Sequence, residues 1–293
     1  MKLQVVIVLY KQKISESKSV TSLYDQILSP DLDISLLIYD NSPSPQKLEH
    51  AIMNMVPVVY VHDPSNGGLV PAYNQGLLLA KSNAASWMLL LDQDTFLTAD
   101  YFKRLFSALD ASNEDDRIVA YAPHIIVRGK CVAPSWFWMG IHRHIKRSWH
   151  GVAVKPITSI NSATTVSTSF IDAIGGFDER FPLNYTDYWL YREIYSRGKM
   201  TMVLDCDLEH ELSAANRDTF RPVAQYIDVL HHEGKFYRSS HSRAVIFVFW
   251  SRLMLRVLKH FVVFKDKGYS RAALTYIHKA LLARSKGDNL KSP

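Results

Sequence analysis

The chain has 293 residues, 47% of them hydrophobic and 21% charged. It can bury a sizeable core, as one large α/β domain or as one domain with an appendage. Its two cysteines, Cys131 and Cys206, lie far apart without metal-ligand spacing, which argues against a zinc site and for a reducing compartment. The formal charge of +6 is unevenly spread: residues 221–293 carry 14 Lys/Arg against 4 Asp/Glu, the preceding 220 carry 20 against 24. The tail therefore meets something anionic or differs in role from the body. Its cations sit in an apolar-aromatic context without a nucleic-acid-binding motif, so no nucleic-acid partner is expected.

In chain order, residues 4–9 form a short apolar run ending at Tyr10, too short for a spanning helix and without a small-residue cleavage site. It reads as a first strand. A helix-compatible stretch covers residues 15–28. A second apolar run, 34–39, stops at the turn signal Asp40-Asn41-Ser42-Pro43. A short helix is expected at 48–55 and a third strand at 58–61. Asp63-Pro64-Ser65-Asn66-Gly67-Gly68 then opens a helix over 69–81, with Pro71 in the first turn, where no backbone donor is lost. Residues 87–91 are the fourth strand. Strands alternating with helices predict a mostly parallel sheet covered on both faces.

That fourth run, Trp87-Met88-Leu89-Leu90-Leu91, stops abruptly at Asp92-Gln93-Asp94-Thr95. In extended backbone, residues i and i+2 project to one side, so Asp92 and Asp94 can aim oxygens at one point on the sheet's C-terminal edge. A helix start is the competing reading, since Thr95 and Thr98 precede a helix over 100–109. Asp40 closes the second strand on the same inferred edge. No Gly-x-Gly-x-x-Gly follows a strand, no Gly-Lys continues to Ser or Thr, and there is no Gly-x-Ser-x-Gly elbow. A nucleotide held without these motifs needs a divalent cation at its phosphates, and paired carboxylates suit Mg²⁺ or Mn²⁺.

Strand-Asp40, Asn66-x-Gly68-x-x-x-Ala72-x-Asn74-x-Gly76 and Leu-Leu-Leu-Asp92-Gln93-Asp94 resemble the nucleotide-binding half of family 2 glycosyltransferases. Gly175-Gly176-Phe177-Asp178-Glu179-Arg180-Phe181 resembles that family's turn before the catalytic helix. Tyr185-Thr186-Asp187 matches the position of its general base, and Leu208-Glu209-His210 falls at the expected spacing beyond. Many members carry Glu-Asp where this chain has Thr186-Asp187.

The resemblance covers residues 3–212 and implies a GT-A fold: residues 1–125 as the nucleotide-binding half, 126–220 as the acceptor and base half, and 221–293 as a helical extension. It further implies a metal site at Asp94, Asp92 and His210, a nucleotide-sugar site at Tyr10, Asp40, Asn66, Gly68 and Asp92, and Asp187 as the base of an inverting transfer. The Asp-Gln-Asp form is similar to bacterial rhamnosyltransferases of O-antigen and other surface polysaccharide synthesis. It points to dTDP-rhamnose as donor and a lipid-linked (undecaprenyl diphosphate) saccharide as acceptor. A UDP-sugar donor is the alternative, and a non-catalytic nucleotide-sugar-binding protein the distant one.

Each of these residues also has a plain structural reading. Asp40 forms turns of this kind, Asn66 and Gly68 suit a loop-to-helix turn, and a lone histidine is commonly structural. Asn74, unfavourable inside a helix, is expected to bond a neighbouring loop. The aromatic and basic segment 135–150 reads as a flap, an acceptor contact or a long surface connection. In residues 244–264, Arg252, Arg256 and Lys259 share one helical face opposite a broad apolar one. Three charges oppose spanning. An interfacial helix at the inner face of the cell membrane, with arginines at anionic headgroups, and a helix packed on the body are both expected readings. A second amphipathic segment follows at 271–286.

Overall fold

The computed structural model describes residues 2–27, 33–48, 56–112, 114–210, 222–240, 242–263 and 267–285. The chain divides into two compact units, Met1–Trp138 with His142–Ala215 and Met139–Ile141 with Asn216–Pro293.

In the first unit, β1 (Lys2–Leu9), β2 (Asp33–Asp40), β3 (Val58–His62) and β4 (Trp87–Asp92) run parallel. Strands covered on both faces need continuous apolar runs, and β1 supplies one, with Leu3, Val5, Val6 and Ile7 fully buried. It lies between β2 and β4. The chain first winds outward through α1 (Lys18–Ile27) to β2 and β3. It then returns through α2 (Leu69–Ser82) to β4 on the other side of β1. That reversal is the switch point where open α/β sheets leave a crevice at the strand C-termini. Gly76 lets α2 press close to the sheet, since a Cβ there would stand 2.3 Å from a methyl of Val6.

Beyond β4, the Thr98 side chain caps α3 (Ala99–Ala111) by accepting from Tyr101 N, and the helix buries Tyr101, Phe102, Leu105 and Leu109. The sheet continues through β5 (Ile118–Val127), β6 (Lys130–Ala133), β9 (Gly151–Ala153), β11 (Thr164–Ser167) and β12 (Met200–Glu209). Among the described residues it has nine strands in the order β3-β2-β1-β4-β11-β5-β12-β9, with β6 on β5. It is mostly parallel, and β11 lies antiparallel between β4 and β5. The result is a GT-A architecture. Two further helices, α4 (Thr168–Ala173) and α5 (Thr186–Ser196), follow β11.

Residues 135–150, read above as a flap or connection, contain regular structure. Strands β7 (Ser135–Trp138) and β8 (Ile141–His144) join β10 (Ile157–Thr158) in a small three-stranded sheet. The helix expected at 48–55 lies, past Leu48, outside the described residues.

The second unit carries α6 (Val223–Arg238), α7 (Arg243–Val263) and α8 (Gly268–Ser285). Their shared core includes Leu230, Phe236, Phe249, Leu253, Val257, Ala273 and Tyr276. Gly234 permits the close approach of α6 to α8, because a Cβ there would overlap the Tyr276 hydroxyl at 1.6 Å. The expectation that Arg252 and Arg256 meet lipid headgroups is corrected here. Arg256 donates from its two terminal guanidinium nitrogens to the two carboxylate oxygens of buried Glu233, at 2.6 and 2.7 Å, and Arg252 donates to the carbonyl of Gly140, a residue of the same unit. A buried carboxylate without a cation would be costly, so these arginines turn inward. The outer face of α7 is apolar instead: Phe247, Leu255, Leu258 and Val262 are 71, 65, 61 and 82% exposed. Among the described residues no helix is long and apolar enough to cross a membrane.

Candidate active site

The register of β1 fixes two of the expected acids. Leu9 pairs with Asp40 on one side and Val8 with Asp92 on the other, which sets these carboxylate-bearing residues about two strand spacings, ~10 Å, apart at the C-terminal edge. Strand β4 ends at Asp92 and the chain turns through Gln93 and Asp94. Asp94 is therefore delivered by a turn, not by the alternation of an extended strand. The competing helix-start reading fails, since the next helix begins at Ala99 under its own Thr98 cap.

What holds the turn is a set of hydroxyls that hydrophobic periodicity does not reveal. Ser162 Oγ accepts from Asp92 N at 2.9 Å and lies 2.5 Å from Thr95 Oγ1. Thr95 Oγ1 in turn lies 2.8 Å from His210 Nδ1, and Thr95 forms an isolated bridge with His210. Ser19 donates to the Asp92 carbonyl. His210, buried just beyond β12, is 3.4 Å from Asp94 Oδ1. Asp92, Asp94 and His210 bring one ligand atom each within 4.8 Å of one another. Two carboxylates and an imidazole are a donor set able to hold a divalent metal ion.

Gln93, the residue between the acids, serves the fold directly. Its side-chain oxygen accepts from Tyr10 N at 2.7 Å, tying the end of β1 to the turn after β4. Tyr10 itself is 41% exposed at that edge. Asp40 is fully buried, its carboxylate accepting from Ser42 N, Tyr60 Oη and Gln46 Nε2 at 2.8–2.9 Å. Burial alone would raise its pKa, but the hydrogen bonds from Ser42, Tyr60 and Gln46 outweigh it and hold the carboxyl low.

Asn66 takes a left-handed φ of 54° and Gly68 a φ of 89°. At Gly68 the backbone comes close to protein. A Cβ there would stand 2.4 Å from the Pro182 carbonyl, which accepts from Leu69 N and Val70 N and so caps α2. Asn74 bonds a neighbouring loop, as its position in a helix requires: Phe177 N donates to its Oδ1 at 2.7 Å, and its Nδ2 donates to the Phe177 carbonyl at 3.1 Å. This reciprocal pair joins α2 to the turn that leads into α5.

Asp187 stands in the first turn of α5, with Oδ1 accepting from Tyr188 N at 2.8 Å. Thr186 donates to the Phe181 carbonyl at 2.6 Å, which pins the helix start. Burial, with the charge of Asp92 adding, pushes Asp187 up to about 6, and burial likewise pushes Asp92 up to about 6. The two carboxylates thus feel each other, although they lie 95 positions apart in the chain. Tyr73 is fully buried close enough to both that their charges add to burial in raising its phenol well above 10. Nothing in the apolar run around Tyr73 signals this beyond the polar group it carries.

With this geometry in place, a sequence description of the family "Glycosyl transferase family 2" matches residues 5–160, over half of the chain. The chain belongs to glycosyl transferase family 2. Among solved structures, S. aureus TarS is similar at 14% identity and a TM-score of 0.55, over 90% of this chain and 44% of that one. The shorter TarS 1–349 aligns over 95% of this chain and 92% of its own length, at 14% identity and a TM-score of 0.55. A complex of TarS 1–349 with UDP aligns over the same shares at 15% identity and a TM-score of 0.55. At these identities the likeness is one of fold, and the chain spans under half of the full TarS chain. No curated protein matches the sequence significantly. Family membership gives the Asp92–Asp94–His210 edge its context.

Proposed function

We propose that this family 2 enzyme transfers a sugar from a nucleoside diphosphate sugar to a lipid-linked saccharide with inversion at the anomeric carbon. The observation that carries the reading is the meeting of Asp92, Asp94 and His210 within 4.8 Å at the C-terminal edge of the switch point, with Asp187 electrostatically coupled to Asp92. Asp94, Asp92 and His210 would hold a divalent cation, Mg²⁺ or Mn²⁺, which would neutralise charge on the departing diphosphate. Asp187 accepts the proton of the acceptor hydroxyl as the new C–O bond forms, and the nucleoside diphosphate leaves with the electrons of the broken glycosyl–phosphate bond. Tyr10, Asp40, Asn66 and Gly68 shape the nucleotide side, Asp40 through Ser42, Tyr60 and Gln46, which its buried carboxylate holds in place.

The first donor to test is dTDP-rhamnose. A UDP-sugar is the second reading, favoured by the solution of a similar fold with UDP bound and by the engagement of Gln93 with the backbone of Tyr10, which gives that residue a role independent of rhamnose. The apolar outer face of α7 makes a peripheral contact with the inner leaflet, where an undecaprenyl diphosphate acceptor resides. A thermal-shift screen of dTDP- and UDP-sugars with and without Mn²⁺ tests the donor, since a ligand bound only by the native state raises its apparent stability. Stabilisation by one nucleotide sugar that depends on Mn²⁺ supports the reading, and no response to any of them overturns it.

A further inference from the structure

Four aromatic side chains cluster beside the base, two of them from the segment 135–150. The Tyr188 ring stacks on Tyr185 at 4.8 Å and 30° and meets Phe137 at 5.4 Å and 61°. Its hydroxyl lies 3.3 Å from His142 Nε2, and the His142 ring packs at 4.9 Å from Phe137 and 5.5 Å from Tyr188. All four belong to the first unit. Tyr188 follows Asp187 directly and Tyr185 precedes it by two, so the cluster begins one Cα spacing, about 3.8 Å, from the base.

Three features set it apart from ordinary core packing. It is not buried: His142 is exposed, Phe137, Tyr185 and Tyr188 are half-buried, and every residue of β8 is exposed. An antiparallel strand normally covers one face. Tyr185 holds a left-handed φ of 71° at the start of α5, where a glycine would sit without cost. A bulky residue kept in that conformation is strained, and such strain gathers at ligand sites. The rings also combine apolar faces with a phenol and an imidazole, as recognition of a molecule with one apolar and one polar face requires. A pyranose has both.

We propose that Phe137, His142, Tyr185 and Tyr188 form the acceptor subsite, on which the C–H face of the receiving sugar ring stacks while its hydroxyl edge turns to Asp187. The inference rests on the glycosyl-transfer reading and deepens it: the acceptor group is a pyranoside, recognised by its ring, and not a protein side chain or a bare lipid phosphate. Tyr185 and Tyr188 supply the stacking surface, and His142 fixes the tilt of Tyr188 through its hydroxyl.

The test uses the full chain with UDP and Mn²⁺, and a panel of methyl pyranosides of the gluco, galacto and N-acetylglucosamine series as probes for saturation-transfer NMR. The wild type is expected to saturate ring protons of at least one pyranoside. Tyr185→Gly, which relieves the backbone while removing the ring, and Tyr188→Ala are each expected to reduce that transfer at least fivefold. Neither should alter the thermal shift produced by the nucleotide. Retained transfer in both variants overturns the proposal. So does a wild type that binds nucleotide but contacts no pyranoside, or a loss of nucleotide response that parallels the loss of pyranoside contact. If the wild type binds no nucleotide at all, the glycosyl-transfer reading falls first and takes the subsite with it.

Discussion

At the scale of single residues, the chemistry turns on the cost of burying charge. Asp187 must be ionised to accept a proton, and burial has raised it to about 6. Transfer should therefore rise with pH through about 6 and level off above it, measured as kcat/KM under donor saturation. Asp187→Asn should lower transfer about 10²–10⁴-fold, the usual share of a general base, while nucleotide binding persists. The same shift has a stability counterpart of fixed sign. Asp92 and Asp187 titrate at 3.8 when solvated and near 6 when folded, so their folded neutral forms stabilise below 3.8 and that stabilisation is lost as pH rises through 6. Melting temperatures of the metal-free protein between pH 4 and 7 should carry this slope, and Asp187→Asn should flatten it. Gly68 offers a simpler test. A methyl 2.4 Å from the Pro182 carbonyl at a φ of 89° should make Gly68→Ala less stable by about 1–3 kcal/mol in urea unfolding.

At the scale of elements, the sequence carried most of what periodicity and turn chemistry can encode. The runs at 34–39 and 87–91 announce β2 and β4 because strands buried on both faces admit almost no polar residue. Asn74 announced a tie to a loop because an amide inside a helix seeks a partner. Asn74→Ala should remove both bonds to Phe177 and cost about 1–3 kcal/mol, with a larger loss of transfer than of nucleotide binding, since the tie leads to α5. Equal losses would mean that the pair serves only the fold. Other features were not legible. Ser162, Thr95 and Ser19 position the acids through hydroxyls, which any loop or cap also carries. The hairpin of β7 and β8 hides because every residue of β8 is exposed and β7 grades from buried Ser135 through half-buried Trp136 and Phe137 to exposed Trp138, so the two-residue alternation of a half-buried strand never appears. The spacing of the α7 arginines places them on a shared face without saying what that face meets: Glu233 of another helix for Arg256 and the Gly140 carbonyl for Arg252.

At the scale of the whole molecule, the imbalance of charge and the apolar outer face of α7 lie in one helical unit. Phe247, Met254, Leu255, Leu258, Phe261 and Val262 fall within an arc of about 120° at 100° per residue, and all are exposed. Lys259, Arg271 and Lys279 are exposed in the same unit. Vesicles of phosphatidylglycerol should therefore co-sediment the protein at low salt and release it as salt screens the attraction. Leu255→Glu combined with Leu258→Glu should abolish the binding, whereas Arg256→Met should act mainly on thermal stability through Glu233. Sedimentation indifferent to the leucine pair would count against a lipid contact on this face.

The cap that the Pro182 carbonyl places on α2 also bears on when the molecule can be completed. Leu69 N and Val70 N find their acceptor far down the chain, and the amide of Asn74 meets Phe177 103 positions away. A ribosome adding ~5–20 residues per second delivers that acceptor on the order of 10 s after α2 has emerged. During that interval the helix start is unfinished and its apolar face lacks its final cover. The nascent chain is thus a customer for chaperones until the turn before the base arrives, and a ribosome stalled short of Pro182 should leave α2 sensitive to protease.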